Sequence, residues 1–207
     1  MPLLLHEPIL PPGEWGLWRI AESEQELRSG VTLHDRELDQ LHCIKGEERR
    51  REFLAARLLL HRMSGRNDRA ELVKDTDGKP HLEDSLFYVS ISHTVGYSAA
   101  IAHPRQCGID VQRIVPKIRQ LAPKFVGEGE QTQLTEENEL VQLHLIWAAK
   151  EAIYKAYGRR QLDFKRQLTV DLGERSVGRL ITEEVTTEFA LRYRRYEGFV
   201  LVAAVEQ

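Results

Sequence analysis

Residues Phe87, Val89 and Ile91 alternate with Tyr88, Ser90 and Ser92, a period of two that predicts a strand with one buried face. Tyr97 to Ala102 and Cys107 to Ile114 read as two further strands, joined through His103-Pro104-Arg105-Gln106, so the middle of the chain is expected to be an antiparallel meander. Upstream, Asp35 to Met63 has a helical pattern. Its charged start, Lys45 to Arg51, runs into Phe53, Leu54, Leu58 and Leu59. Asp75-Thr76-Asp77-Gly78-Lys79-Pro80 is a turn, because Asp-Gly accepts positive φ and Pro80 keeps Lys79 out of the α region. Glu136 to Tyr157 is the most helical stretch and is closed by Gly158. Beyond it, Leu168 to Leu172, Arg179 to Glu183, Glu188 to Tyr196 and Phe199 to Val205 read as strands, the last two turning at Glu197-Gly198. Helix followed by strands thus occurs twice, which predicts an α+β chain of two similar halves with a tightly packed boundary near Arg105.

Composition narrows the class. The 207 residues are 42% hydrophobic and 29% charged, which excludes disorder and collagen-like repeats. A net charge of −3 gives no global field for nucleic acid, and Arg49 to Arg51 lack the interleaved aromatics of a nucleic-acid face. No apolar run approaches the roughly 20 residues of a membrane span, and the start has no basic leader. Cys43 and Cys107 have no metal-ligand or C-x-x-C spacing. They read as reduced thiols, with the cytoplasm as the expected compartment.

The candidate chemistry is concentrated in a few segments. In Cys107-Gly108-Ile109-Asp110-Val111-Gln112-Arg113, Ile109 and Val111 point to one face and Asp110 and Gln112 to the other. Asp110 therefore either lies on an exposed strand face or is buried and in need of a cation. In Trp147-Ala148-Ala149-Lys150-Glu151-Ala152-Ile153-Tyr154-Lys155, Glu151 and Lys155 share one helix face, while Ile146, Ala149, Ile153 and Ala156 form the inward stripe. Alone, such a pair is an ordinary surface ion pair worth a few tenths of a kcal/mol, on the order of 0.3–0.5. Ser92-His93 offers a hydroxyl and an imidazole, and Gly78-Lys79-Pro80 an ammonium on a turn. A Ser-His hydrolase is disfavoured, because strand neighbours point to opposite faces and no G-x-S-x-G elbow exists.

Taken together and in this order, Gly78-Lys79-Pro80, Ser92-His93, Gly108-Ile109-Asp110 and Trp147-x-x-Lys150-Glu151-x-x-x-Lys155 resemble the phosphopantetheinyl transferase superfamily, in its Sfp-type, pseudo-dimeric branch. The resemblance spans roughly Arg50 to Gly158. It implies two α+β halves related by a pseudo-twofold, each a long helix on a small, mainly antiparallel sheet. Residues 1–105 would carry the coenzyme A arginines with the Gly78-Lys79-Pro80 and Ser92-His93 elements, and residues 106–207 the metal-binding aspartate and the long helix. It also implies a monomer.

The activity so implied is Mg²⁺-dependent transfer of the phosphopantetheine arm of coenzyme A to a serine of an apo acyl, peptidyl or aryl carrier protein, releasing adenosine 3′,5′-bisphosphate. Asp110 and Glu151 would hold Mg²⁺, with Gln112 a third ligand standing where many members have an acidic residue. Glu151 would be the base and Lys155 the group stabilising the departing phosphate. Coenzyme A would be bound by His93, Lys79, Ser92, Lys150 and Lys155, and by one of Arg50, Arg51 and Arg57, the register being open among the three. Glu130 matches an element that helps position the site. Val115 to Phe125, basic and apolar, is the expected docking surface for an acidic carrier. Gln112 also motivates a different reading, a coenzyme A binding module with impaired catalysis.

Overall fold

The computed structural model describes residues 2–159 and 161–207, which divide into two compact units, one ending at Pro104 and the other starting at Arg105. The first unit is a six-stranded antiparallel sheet with helices. Its strands are β1 (Leu3–Ile9), β2 (Gly13–Arg19), β3 (Leu72–Lys74), β4 (Pro80–Leu82), β5 (Tyr88–Thr94) and β6 (Tyr97–His103), in the spatial order β1-β2-β6-β5-β4-β3. Its helices are α1 (Glu24–Ser29), α2 (Asp35–Cys43) and α3 (Glu47–Ser64). The helical pattern from Asp35 to Met63 is therefore cut in two. Ile44 is extended, and Gly46 is the extended N-cap from which α3 starts. α3 ends at Gly65, whose φ of 60° is the left-handed cap that glycine adopts at little cost. Leu54, Leu58, Leu59 and Met63 of α3 pack with Trp18, Leu72, Val89 and Ala100 into one core.

The second unit contains β7 (Cys107–Arg113), α4 (Ile118–Phe125), α5 (Glu128–Gln131), α6 (Glu139–Tyr157), β8 (Leu168–Asp171), β9 (Val177–Ile181), β10 (Thr186–Tyr196) and β11 (Phe199–Glu206). The sheet order is β7-β11-β10-β9-β8, all antiparallel. One expectation is corrected here. β5 and β6 do form a hairpin, but β7 does not continue that meander: it pairs with β11, Asp110 opposite Val202. Both strands are apolar enough to be buried on two faces, with every residue from Phe199 to Val205 and from Cys107 to Val111 buried. The inward stripe of α6 is as the spacing predicts, with Ile146, Ala149, Ile153 and Ala156 all inaccessible.

Both units thus place one long helix against an antiparallel sheet, an α+β architecture. Among the described residues, no helix is long and apolar enough to cross a membrane. Cys43 is exposed and Cys107 buried, and neither is in a disulfide.

Candidate active site

The second unit assembles its chemistry where α6 crosses β7. Their approach is set by Gly108: a Cβ there would sit 1.9 Å from the Ala152 carbonyl oxygen and 2.7 Å from the Ala156 nitrogen. Only hydrogen fits between those backbones. Two residues on, Asp110 is 3% exposed, so the buried alternative holds and the carboxylate has partners. Lys155, in the last turn of α6, donates from Nζ to Asp110 Oδ1 at 2.6 Å and to the Ile109 carbonyl at 3.1 Å. Gln112 donates from Nε2 to Asp110 Oδ2 at 2.8 Å.

Glu151 lies one turn earlier on the same face of α6. Burial, and next the nearby Asp110 carboxylate, push its carboxyl up to about 7, with Lys155 partly offsetting them. A cation at these two carboxylates would relieve the burial and repulsion that act on Glu151. The oxygen donors are the two carboxylates and, after rotation of its amide, the Gln112 carbonyl. That set suits a hard divalent ion, which Mg²⁺ exemplifies by taking one or two carboxylates together with substrate phosphates and water. No cluster of three or more histidine, cysteine or acidic side chains is assembled among the described residues, so the two carboxylates alone cannot complete such a shell.

Lys150, expected at the coenzyme, is corrected. Its exposure is 0%, and Nζ donates to the Phe125 carbonyl (2.5 Å), Glu130 Oε2 (2.8 Å) and the Phe164 carbonyl (2.8 Å), which uses all three N–H groups. Glu130 in turn accepts from the backbone N–H of Gly127 at 2.7 Å and of Val170 at 2.9 Å. This pair ties α6 to α5 and β8 from inside. Its signal was in the spacing, since Lys150 falls four residues after Ile146 and three before Ile153, on the buried stripe.

The arginines of the first unit need similar revision. Arg57 is 3% exposed, bonded to Glu37 at 2.9 Å and to the Phe53 carbonyl at 3.1 Å. Burial pulls its guanidinium down to about 10 despite Glu37, so it is a core cation rather than a surface ligand. Arg50 grips both oxygens of Glu24 at 2.8 and 2.9 Å, and Arg51 donates to the Glu22 carbonyl at 2.8 Å. The arginine beside His93 is Arg49, which the sequence reading did not single out. Its Nη1 is 3.0 Å from His93 Nδ1 and 3.1 Å from Glu52 Oε2. The Glu52 side chain is 5% exposed whereas Arg49 and His93 are 64% and 44% exposed, so a buried carboxylate holds two nitrogen-rich groups outward. Arg49 and Glu52, three apart on α3, share a helix face that Arg50 and Arg51 do not. That is the signal that could have found them. Ser92 is buried next to His93 in β5, and Lys79, on the Asp75–Pro80 turn, holds its ammonium 5.5 Å from the Tyr88 ring.

Two family models match the chain. Residues 106–204 match the 4′-phosphopantetheinyl transferase superfamily, and residues 40–103 match the 4′-phosphopantetheinyl transferase N-terminal domain. The chain belongs to the 4′-phosphopantetheinyl transferase superfamily. Its general chemistry is therefore phosphopantetheine transfer, and the two-unit α+β structure is the two-half form of that family. No curated protein matches the chain.

Proposed function

We propose that the protein transfers the phosphopantetheine arm of coenzyme A to a serine of an apo carrier protein, with Mg²⁺ held by Asp110, Glu151 and the Gln112 amide oxygen. The observation that carries this reading is the convergence of Asp110, Glu151 and Lys155 where α6 crosses β7. When bound, the cation supplies charge neutralisation at the pyrophosphate. The remaining work falls to the side chains. Glu151, whose carboxyl a bound cation would hold ionised, takes the proton of the attacking serine hydroxyl. The serine oxygen bonds to the phosphorus that bears pantetheine, and the bond from that phosphorus to the bridging oxygen breaks. Adenosine 3′,5′-bisphosphate leaves with that electron pair. Lys155, aimed by its 2.6 Å bond to Asp110, stabilises the charge that develops on the departing phosphate.

Arg49 and His93, supported on Glu52, are the pair proposed for the 3′-phosphate of coenzyme A, with Lys79 and Ser92 beside the adenine and phosphates. For the carrier, Lys117 at the N-cap of α4 and Lys124 within it are exposed, while Arg119 is tied to Glu139 at 2.6 Å. Ile118 and Phe125 turn into the core, so this surface is more basic than apolar.

The test incubates the purified protein with coenzyme A, Mg²⁺ and apo carriers of the fatty-acid, polyketide and peptide-synthetase types, and follows carrier mass. Gain of one phosphopantetheine is expected on at least one type. Coenzyme A binding with no carrier modified would instead support the impaired module.

A further inference from the structure

Away from the residues above, the first unit encloses a cavity of about 380 Å³. That is the small end of the range of ligand sites, roughly 300–1,000 Å³. Its wall mixes two chemistries. Leu60, Met63, Leu82 and Phe87 make an apolar body, whereas Arg57, Arg66 and Arg69 line it with charged side chains. Arg57 and Arg69 both bond Glu37, which is fully buried and not on the wall. The only wall carboxylate, Glu14, is 2.6 Å from His6. Three arginines against Glu14 and Glu37 leave one unit of positive charge at the cavity. Arg66 is exposed and has no ion pair among the described residues. His61, also on the wall, has a buried Nδ1 with no hydrogen-bond partner.

A wall that is mostly apolar excludes a strongly hydrated polyanion, and one surplus cationic charge calls for one negative charge. From this combination we infer that the cavity of the first unit is a binding site for a medium-chain aliphatic carboxylate, its chain against Leu60, Met63, Leu82 and Phe87 and its carboxylate at the Arg66 end. The site contains none of Arg49, Ser92, His93 or Lys79, so it is separate from the residues proposed for coenzyme A.

The experiment titrates decanoate, below its micelle concentration, into the full chain without coenzyme A and reads heat. One saturable site is expected, with decanol binding at least about tenfold more weakly because the arginines gain nothing from a neutral head. Reversing the exposed charge in Arg66→Glu should weaken decanoate by about fivefold at low salt without affecting the melting temperature. Filling the cavity in Ala102→Leu should abolish binding, and saturating coenzyme A should leave decanoate affinity unchanged. The inference is overturned if no saturable binding occurs, if decanol binds as well as decanoate, if Arg66→Glu binds like wild type, or if coenzyme A displaces the ligand. Because the readout is binding alone, a failure of carrier modification leaves this test standing.

Discussion

Replacing Lys150 with methionine keeps the length and apolar stem of the side chain and removes only its charge and N–H donors. Three groups are then abandoned inside the second unit: the Glu130 carboxylate, 4% exposed, and the carbonyls of Phe125 and Phe164. Breaking one side of a buried ion pair costs about 3–5 kcal/mol. Each orphaned carbonyl would add about 1–3 kcal/mol if nothing relaxed. These costs overlap because the groups share one ammonium, so about 3–5 kcal/mol is the expected total. Glu130 retains its bonds from the Gly127 and Val170 N–H groups, which limits the loss. Adding Glu130→Gln to Lys150→Met removes the stranded charge but leaves one acceptor for the two N–H groups that Oε1 and Oε2 take, so it should return at most about 1 kcal/mol. Urea unfolding followed by circular dichroism, with hydrogen exchange of the α6 amides, measures both steps. A Lys150→Met protein within about 0.5 kcal/mol of wild type would refute the reasoning. So would a normal stability coupled to a raised KM for coenzyme A, which would return Lys150 to the substrate.

Three other outcomes test the remaining geometry. Gly108→Ala should cost about 2 kcal/mol or more and most of the turnover, since its Cβ would press on the α6 backbone rather than on a movable side chain; a normally active, normally stable variant would show that helix and strand are not so close. Glu151→Gln and Lys155→Ala should each lose roughly 10²–10³ in kcat for carrier modification, with Glu151→Gln at least as stable as wild type because it removes a carboxyl that burial and Asp110 disfavour; wild-type rates in both would mean the wrong helix face has been assigned. His144 Nε2 accepts from the Val115 N–H at 3.1 Å, and burial holds its pKa below the ordinary 6.5, so the neutral ring is favoured in the fold. Its contribution is complete above about pH 6.5 and is lost as pH falls, because the unfolded chain binds the proton first; urea midpoints should therefore drop less between pH 6.5 and 5 in His144→Gln than in wild type, and equal drops would contradict this.

Much of this was legible from local pattern. The alternation at Phe87 to Ser92 gave β5, and the Leu- and Ala-rich stretch closed by Gly158 gave α6. Glu151 and Lys155 share the helix face that four-residue spacing assigns them. The first two strands were not predicted, because prolines and glycines interrupt any strand period from Leu3 to Arg19, while sheet pairing buries Trp15, Leu17 and Trp18. The partner of β7 could not be read either, since pairing with β11 is a long-range choice that no local period encodes. The arginine run failed for a different reason. Consecutive residues on a helix point about 100° apart, so Arg49, Arg50 and Arg51 look alike in sequence and meet different partners in space.

β7 stands at the edge of its sheet, with β11 as its one neighbouring strand, and β11 comes last of the unit's elements in chain order. During synthesis the segment bearing Asp110 must therefore wait, unpaired, until nearly the whole second unit has emerged, whereas the sheet that ends at His103 is already complete. A ribosome that stalls, or a protease that cuts within the β10–β11 hairpin, would leave a fragment able to keep its first sheet and its cationic α3 surface but with no anchored aspartate. The strand that carries Asp110 is anchored only once β11 has paired with it.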